Sequence, residues 1–125
     1  MIINVGFTMT WKLFIDDIRK PDKDFILARN VSEAVKLIEE KGFPIFISFD
    51  HDLGENEPSG KDFVNMICDK VLDGEWTMDS NFEFQVHSDN SVGAENIKGM
   101  LNSFLRHKGY SFQLRRCQPY SSRVT

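Results

Sequence analysis

Three times in this chain a short apolar run stops abruptly in acids or histidine. W-K-L-F-I (Trp11 to Ile15) runs into Asp16-Asp17, P-I-F-I-S-F (Pro44 to Phe49) into Asp50-His51-Asp52, and F-E-F-Q-V (Phe82 to Val86) into His87-Ser88-Asp89-Asn90. Runs this short are too brief for helices and read as strands, the middle one apolar throughout like a central strand covered on both faces. Longer segments with helical periodicity separate them. Asn30 with Glu33 resembles a capping box, and Val31, Ala34, Val35 and Ile38 then recur at helical spacing until Gly42. Ser59 and Asp62 can cap a second helix with the stripe Phe63, Met66, Ile67 and Val71, ending near Gly74. Ala94, Ile97, Leu101, Phe104 and Leu105 mark a third, with Gly109 as its stop.

Two further strands complete the pattern. Phe25 to Ala28 is a short apolar run, and Tyr110, Phe112 and Leu114 alternate with polar residues as an edge strand does. Strands alternating with helices predict an α/β fold, a mostly parallel sheet of about five strands with helices on both faces. One connection departs from this rule. Ile18 to Asp24 is too short for a helical crossover of a dozen residues, so the first two strands either pair antiparallel or are joined by an unusual loop.

A length of 125 residues allows one domain, read as residues 11–120, with a possible N-terminal extension at 1–10 and a polar tail at 121–125. Either Met1 or Met9 can serve as the natural start. The N-terminus has no basic region followed by a sustained apolar run, so a signal peptide is not expected, and the predicted compartment is the cytoplasm. Cys68 and Cys117 have no metal-type spacing and are expected as reduced thiols. A formal charge of −4 provides no whole-protein attraction to duplex DNA or to a membrane surface, so a phosphate-bearing ligand must be held locally.

In a parallel sheet the carboxyl ends of the strands lie together, and open α/β sheets bind ligands in the crevice outside them. Any one strand-end Asp is accounted for by a turn or a helix cap; three such clusters on one edge are harder to explain that way. Carboxylates brought so close repel unless a cation shares them. Asp16, Asp17, Asp50 and Asp52 are therefore the expected ligands of Mg2+ or Mn2+, hard ions that take carboxylates, waters and phosphate oxygens. His51 and His87 stand where proton transfer near neutral pH, or metal ligation, is in reach. His87 and Ser88 are adjacent on a strand and point to opposite faces, a poor arrangement for a hydrolase dyad. His107 reads as a helix-end cation, and Trp11 and Trp76 are too isolated to form a base-stacking platform.

The segments K-L-F-I-D-D-I-R-K-P, S-F-D-H-D-L-G with a following S-G-K-D, and V-H-S-D-N-S-V-G, spanning about Lys12 to Leu105, resemble the cyclic-phosphate-processing receiver-like family, an offshoot of response-regulator receivers. The resemblance implies a flavodoxin-like sheet, an acidic pocket for a divalent cation, and the processing of a cyclic phosphate on a nucleotide or an RNA end. Asp16-Asp17 match the receivers' acidic pair, Asp50 their phosphate-accepting aspartate, and Ser88 falls near their switch hydroxyl. Gln118-Pro119 stands where receivers carry a lysine before a proline, which argues against a phosphorylation switch. The function expected is a metal-dependent phosphoesterase, with Asp50, His51 and His87 catalytic and with Ser88, Asn90, Arg19 and Lys61 contacting substrate. A non-catalytic nucleotide-binding or sequestering module, or a degenerate receiver, is the alternative.

Overall fold

The computed structural model describes residues 11–114, with side chains described through residue 106. In chain order the elements are β1 (Lys12–Ile15), β2 (Phe25–Ala28), α1 (Val31–Lys41), β3 (Phe46–Phe49), α2 (Gly60–Leu72), β4 (Glu83–Val86) and α3 (Ser91–Leu114). The four strands form one parallel sheet in the order β2-β1-β3-β4.

Register divides the sheet into two kinds of row. Leu13, Ile26, Ile47 and Phe84 form one row and Ile15, Ala28, Phe49 and Val86 another, both entirely apolar. The alternate rows, Lys12-Phe25-Phe46-Glu83 and Phe14-Leu27-Ser48-Gln85, point to the opposite face. The main core gathers Leu13, Ile15, Ala28, Ile47 and Phe49 with Val31, Ala34 and Ile38 of α1, Phe63, Val64 and Ile67 of α2, and Ile97 and Leu101 of α3. Each fully buried side chain of this size contributes about 1.5–3 kcal/mol, so the helix stripes read from sequence are what anchor the sheet. Both helical crossovers step the same way across the sheet, and right-handed connections then place α1 and α2 on the same face. α3 packs against α2 and β4 on that side. Helices on both faces are thus realised on one face only among the described residues. The other face carries Phe14, Phe25 and Phe46 in edge-to-face contact, with the Lys12 ammonium over the Phe25 and Phe46 rings.

The connection between β1 and β2 is the unusual loop, and the antiparallel alternative does not occur. Residues 16–24 have to run back only the length of a four-residue strand, about 13 Å, which an extended segment spans without a helix. An Asx turn starts the loop, the Asp16 carboxylate accepting the N–H groups of Ile18 and Arg19, both at 2.8 Å. Arg29 then ties the loop down by donating to the carbonyls of Asp16 (3.3 Å) and Arg19 (2.9 Å).

Helix starts follow the capping logic with one variation. Ser59 and Asp62 form the reciprocal box at α2. At α1 the Asn30 side chain accepts from the Glu33 N–H at 2.9 Å, but the Glu33 carboxylate takes the N–H of Arg29 instead of that of Asn30. The expected fifth strand does not form at 110–114, where the backbone continues α3 through Gly109 to Leu114. A helix-interior glycine costs only about 1 kcal/mol relative to alanine, and α3 already carries Gly99, so Gly109 does not stop it. His107 accordingly sits within α3, not at its end; its side chain lies outside the described residues, as do residues 1–10, Cys117, Gln118-Pro119 and the tail at 121–125. Cys68 is a free, part-buried cysteine, and burial pushes its thiol up to about 12, with Asp69 a smaller influence, which makes it unreactive. No helix among the described residues is long and apolar enough to cross a membrane.

Candidate metal and proton-transfer site

The sheet ladder runs one residue beyond the strands. Asp16 N–H donates to the Ala28 carbonyl at 3.1 Å, Asp50 N–H to the Ile15 carbonyl at 3.1 Å, and His87 N–H to the Phe49 carbonyl at 2.9 Å. Continuing the register, Arg29, Asp16, Asp50 and His87 form a single row across all four chain segments, on the face opposite the helices. Asp16, Asp50 and His87 each bring a ligating atom within 4.8 Å of the others.

Asp16 is 1% exposed and fully engaged: one carboxylate oxygen serves the Asx turn and the other meets His87 Nε2 at 2.9 Å. Burial works to raise its pKa, but the N–H groups of Arg19 and Ile18 together with His87 outweigh it and hold the carboxyl below its ordinary range. Asp50 goes the other way. Burial first, then the neighbouring Asp16 charge, push it above the ordinary range, against a hydrogen bond from the Ser88 hydroxyl. Two carboxylates forced apart in this manner, with an imidazole beside them, make a donor set of oxygens and one nitrogen that suits a hard or borderline divalent ion.

His87 is held on every side. Its ring stacks on Phe14, centroids 4.3 Å apart and planes 6° from parallel. Nε2 faces Asp16, and Nδ1 lies 2.7 Å from the hydroxyl of Ser48, which also accepts from the Gln85 amide at 2.9 Å. Asp16 accepts only, so Nε2 carries the proton, and Nδ1 then accepts from Ser48. Ser48 is 0% exposed and cannot act as a nucleophile. Ser88, the other serine near His87, directs its hydroxyl to Asp50 and accepts from the Asn90 N–H at 3.1 Å.

Three of the other predicted residues, His51, Asp52 and Asn90, gather in a second cluster beside the start of α3. His51 Nδ1 lies 2.9 Å from Asp52, and the Asn90 amide donates to the same carboxylate at 3.3 Å. The His51 contact is the largest influence holding Asp52 below its ordinary range. With Nδ1–H donated to Asp52, Nε2 of His51 is left as the basic nitrogen. Asn90 also caps α3, accepting from the Gly93 N–H at 2.9 Å. Two glycines allow the helices to close on Asp50-His51. A Cβ on Gly60 would fall on the Asp50 carbonyl oxygen, and one on Gly93 would fall on the His51 ring.

The structure therefore divides the expected acids. Asp16 and Asp50 join His87, Asp52 pairs with His51, and the Asp17 carboxylate lies beside Gly54. Arg19 staples two strand-end loops, donating to the His87 carbonyl (2.7 Å) and the Asp89 carboxylate (2.6 Å), while Lys61 is exposed at the start of α2. Arg29 and Ser48 escaped the sequence reading. Arg29 carries the same signal as the other members of its row, the first position after a strand, and Ser48 is a lone hydroxyl in an otherwise apolar run.

A family model described as Cyclic-phosphate processing Receiver domain matches residues 11–103. No curated protein and no solved structure matches the chain.

Proposed function

Because this chain belongs to the Cyclic-phosphate processing Receiver domain family, we propose that it is a divalent-metal-dependent phosphoesterase that opens a cyclic phosphate on a nucleotide or an RNA end. The observation that carries this reading is the row Asp16-Asp50-His87, whose ligating atoms converge within 4.8 Å while Asp50 is held above its ordinary pKa by burial and the Asp16 charge. That is an arrangement a cation relieves.

Asp16, Asp50 and His87 would hold Mg2+ or Mn2+, while Asp17 and Asp52 stand outside that cluster. When bound, such an ion polarises a phosphoryl oxygen and lowers the pKa of a water. The chain's own residues supply the rest. His51, its Nδ1 committed to Asp52, offers Nε2 as the general base that takes a proton from the attacking water and returns it to the ester oxygen released as the ring P–O bond breaks. Ser88, beside Asp50, and the exposed N–H groups at the start of α3 contact the phosphate. Asn90 orients Asp52 and hence His51. Arg19, part-exposed, and Lys61 neutralise anionic oxygens at the rim.

The test is incubation of the purified protein with Mg2+ or Mn2+ and a panel of 2′,3′- and 3′,5′-cyclic nucleotides and cyclic-phosphate-ended RNAs. Metal-dependent appearance of a phosphomonoester is the expected result. Binding without turnover under either ion would make the chain a nucleotide-binding or sequestering module. Stoichiometric labelling by acetyl phosphate that disappears in Asp50→Asn would make it a receiver.

A further inference from the structure

Among the described residues only two polar side chains are fully buried, Asp16 and Ser48, and they are the hydrogen-bond partners of the two nitrogens of one ring, His87. Ser48 has no local reason to be a serine. It lies within β3, one row below Asp16-Asp50-His87, between Phe14 on β1 and Gln85 on β4. A strand interior at that position accepts valine or threonine more readily than serine.

The geometry points to Ser48, braced by Gln85, as the positioning residue of the site: it fixes the plane and rotation of the His87 ring so that Nε2 is aimed at Asp16 and Asp50. Three contacts define the ring: the Phe14 face sets its plane, Asp16 takes Nε2, and the Ser48 hydroxyl takes Nδ1 at 2.7 Å. Removing the last leaves the ring free to rotate on the Phe14 face, away from Asp50. A hydroxyl suits the post because it can serve either form of the ring. It donates to Nδ1 while Nε2–H faces Asp16, and it accepts from Nδ1–H when the Nε2 lone pair is given to a cation. The Gln85 amide donates to Ser48 in both states and keeps its oxygen pointed at the ring. An alanine there could do neither, and a carboxylate would add a third negative charge directly beside the row.

This inference rests on the row being a cation site, and its test has one arm that needs no cation. In metal-free protein, long-range 1H–15N spectra of His87 should show one sharp imidazole carrying its proton on Nε2, with ring protons shifted upfield by Phe14. Ser48→Ala should broaden or split those signals and weaken Mn2+ binding by about 10–100-fold, the usual range for loss of a ligand's supporting hydrogen bond. Ser48→Thr, which keeps the hydroxyl, should restore both readouts. Gln85 is exposed, so Gln85→Ala should fold normally and produce the same change in milder form. Unchanged imidazole signals in both Ser48→Ala and Gln85→Ala would overturn the assignment whatever the protein does with metal. A disturbed imidazole in a protein that never binds Mn2+ would leave the positioning role intact and remove the metal reading instead.

Discussion

The two histidines at the crest of the sheet are held in opposite ways. His87 sits in a row with Asp16 and Asp50, stacked on Phe14 and bonded at both nitrogens to buried groups. His51 is one row further on, against α3, with one nitrogen on the exposed Asp52 and no hydrogen-bond partner for the other among the described residues. Side chains alternate across a strand, so neighbouring rows project to opposite faces and one strand end serves two environments. A ring locked on both sides suits the fixed geometry of a metal ligand, and a ring with one free basic nitrogen suits proton transfer. The division of labour follows from parity along β1, β3 and β4.

Breaking each half separately should expose that division. The largest effect is expected for His51→Ala, which should lower turnover by about 10²–10⁴ with Mn2+ affinity unchanged, whereas His87→Ala should lower turnover and affinity together. Single-turnover kinetics alongside calorimetry will separate the two, and identical profiles for both variants would erase the distinction. Next is Gly93→Ala, whose Cβ would overlap the His51 ring. It should displace that ring and cost up to about 10² in turnover without weakening metal binding. Wild-type turnover in Gly93→Ala would show that the position of His51 does not matter.

The smallest effect is on stability and follows the signs of the pKa shifts. Asp50 is raised on folding, so its ionisation destabilises the native state once the pH exceeds that folded value; the penalty is absent below about pH 3.9, where the unfolded carboxyl is also protonated. Asp16 is lowered, so it stabilises fully above about pH 3.9 and loses that contribution as the pH falls through its folded value. Metal-free Asp50→Asn should therefore be more stable than wild type to urea at pH 7, with the gap closing at pH 3. A gap of equal size at both pH values would mean that Asp50 is not strained by its surroundings.

Much of this was legible in the residues because strand ends and helix caps are local signals. Asp16, Asp50 and His87 each follow an apolar run, and the parallel arrangement needed only the alternation of strands and helices. What the sequence did not disclose depends on tertiary context. The partition of Asp52 away from the metal row runs against strict alternation, which would return it to the face of Asp50; the chain has left the strand there, and Asp52 turns to His51 and to Asn90, which lies far away in sequence. The looped β1–β2 connection depends on Arg29, an exposed-looking cation whose partners are backbone carbonyls. The alternation at 110–114 resembled a strand, yet a helix already running past Gly99 continued through it.

Calorimetric titration of metal-free wild type, Asp50→Asn and Asp52→Asn with Mn2+ addresses the row most directly. A single site is expected in wild type, retained in Asp52→Asn and lost or weakened by at least about tenfold in Asp50→Asn, since loss of a ligating carboxylate should cost no less than loss of an outer-shell partner. Equal Mn2+ affinity in wild type and Asp50→Asn would contradict a shared site at Asp16, Asp50 and His87.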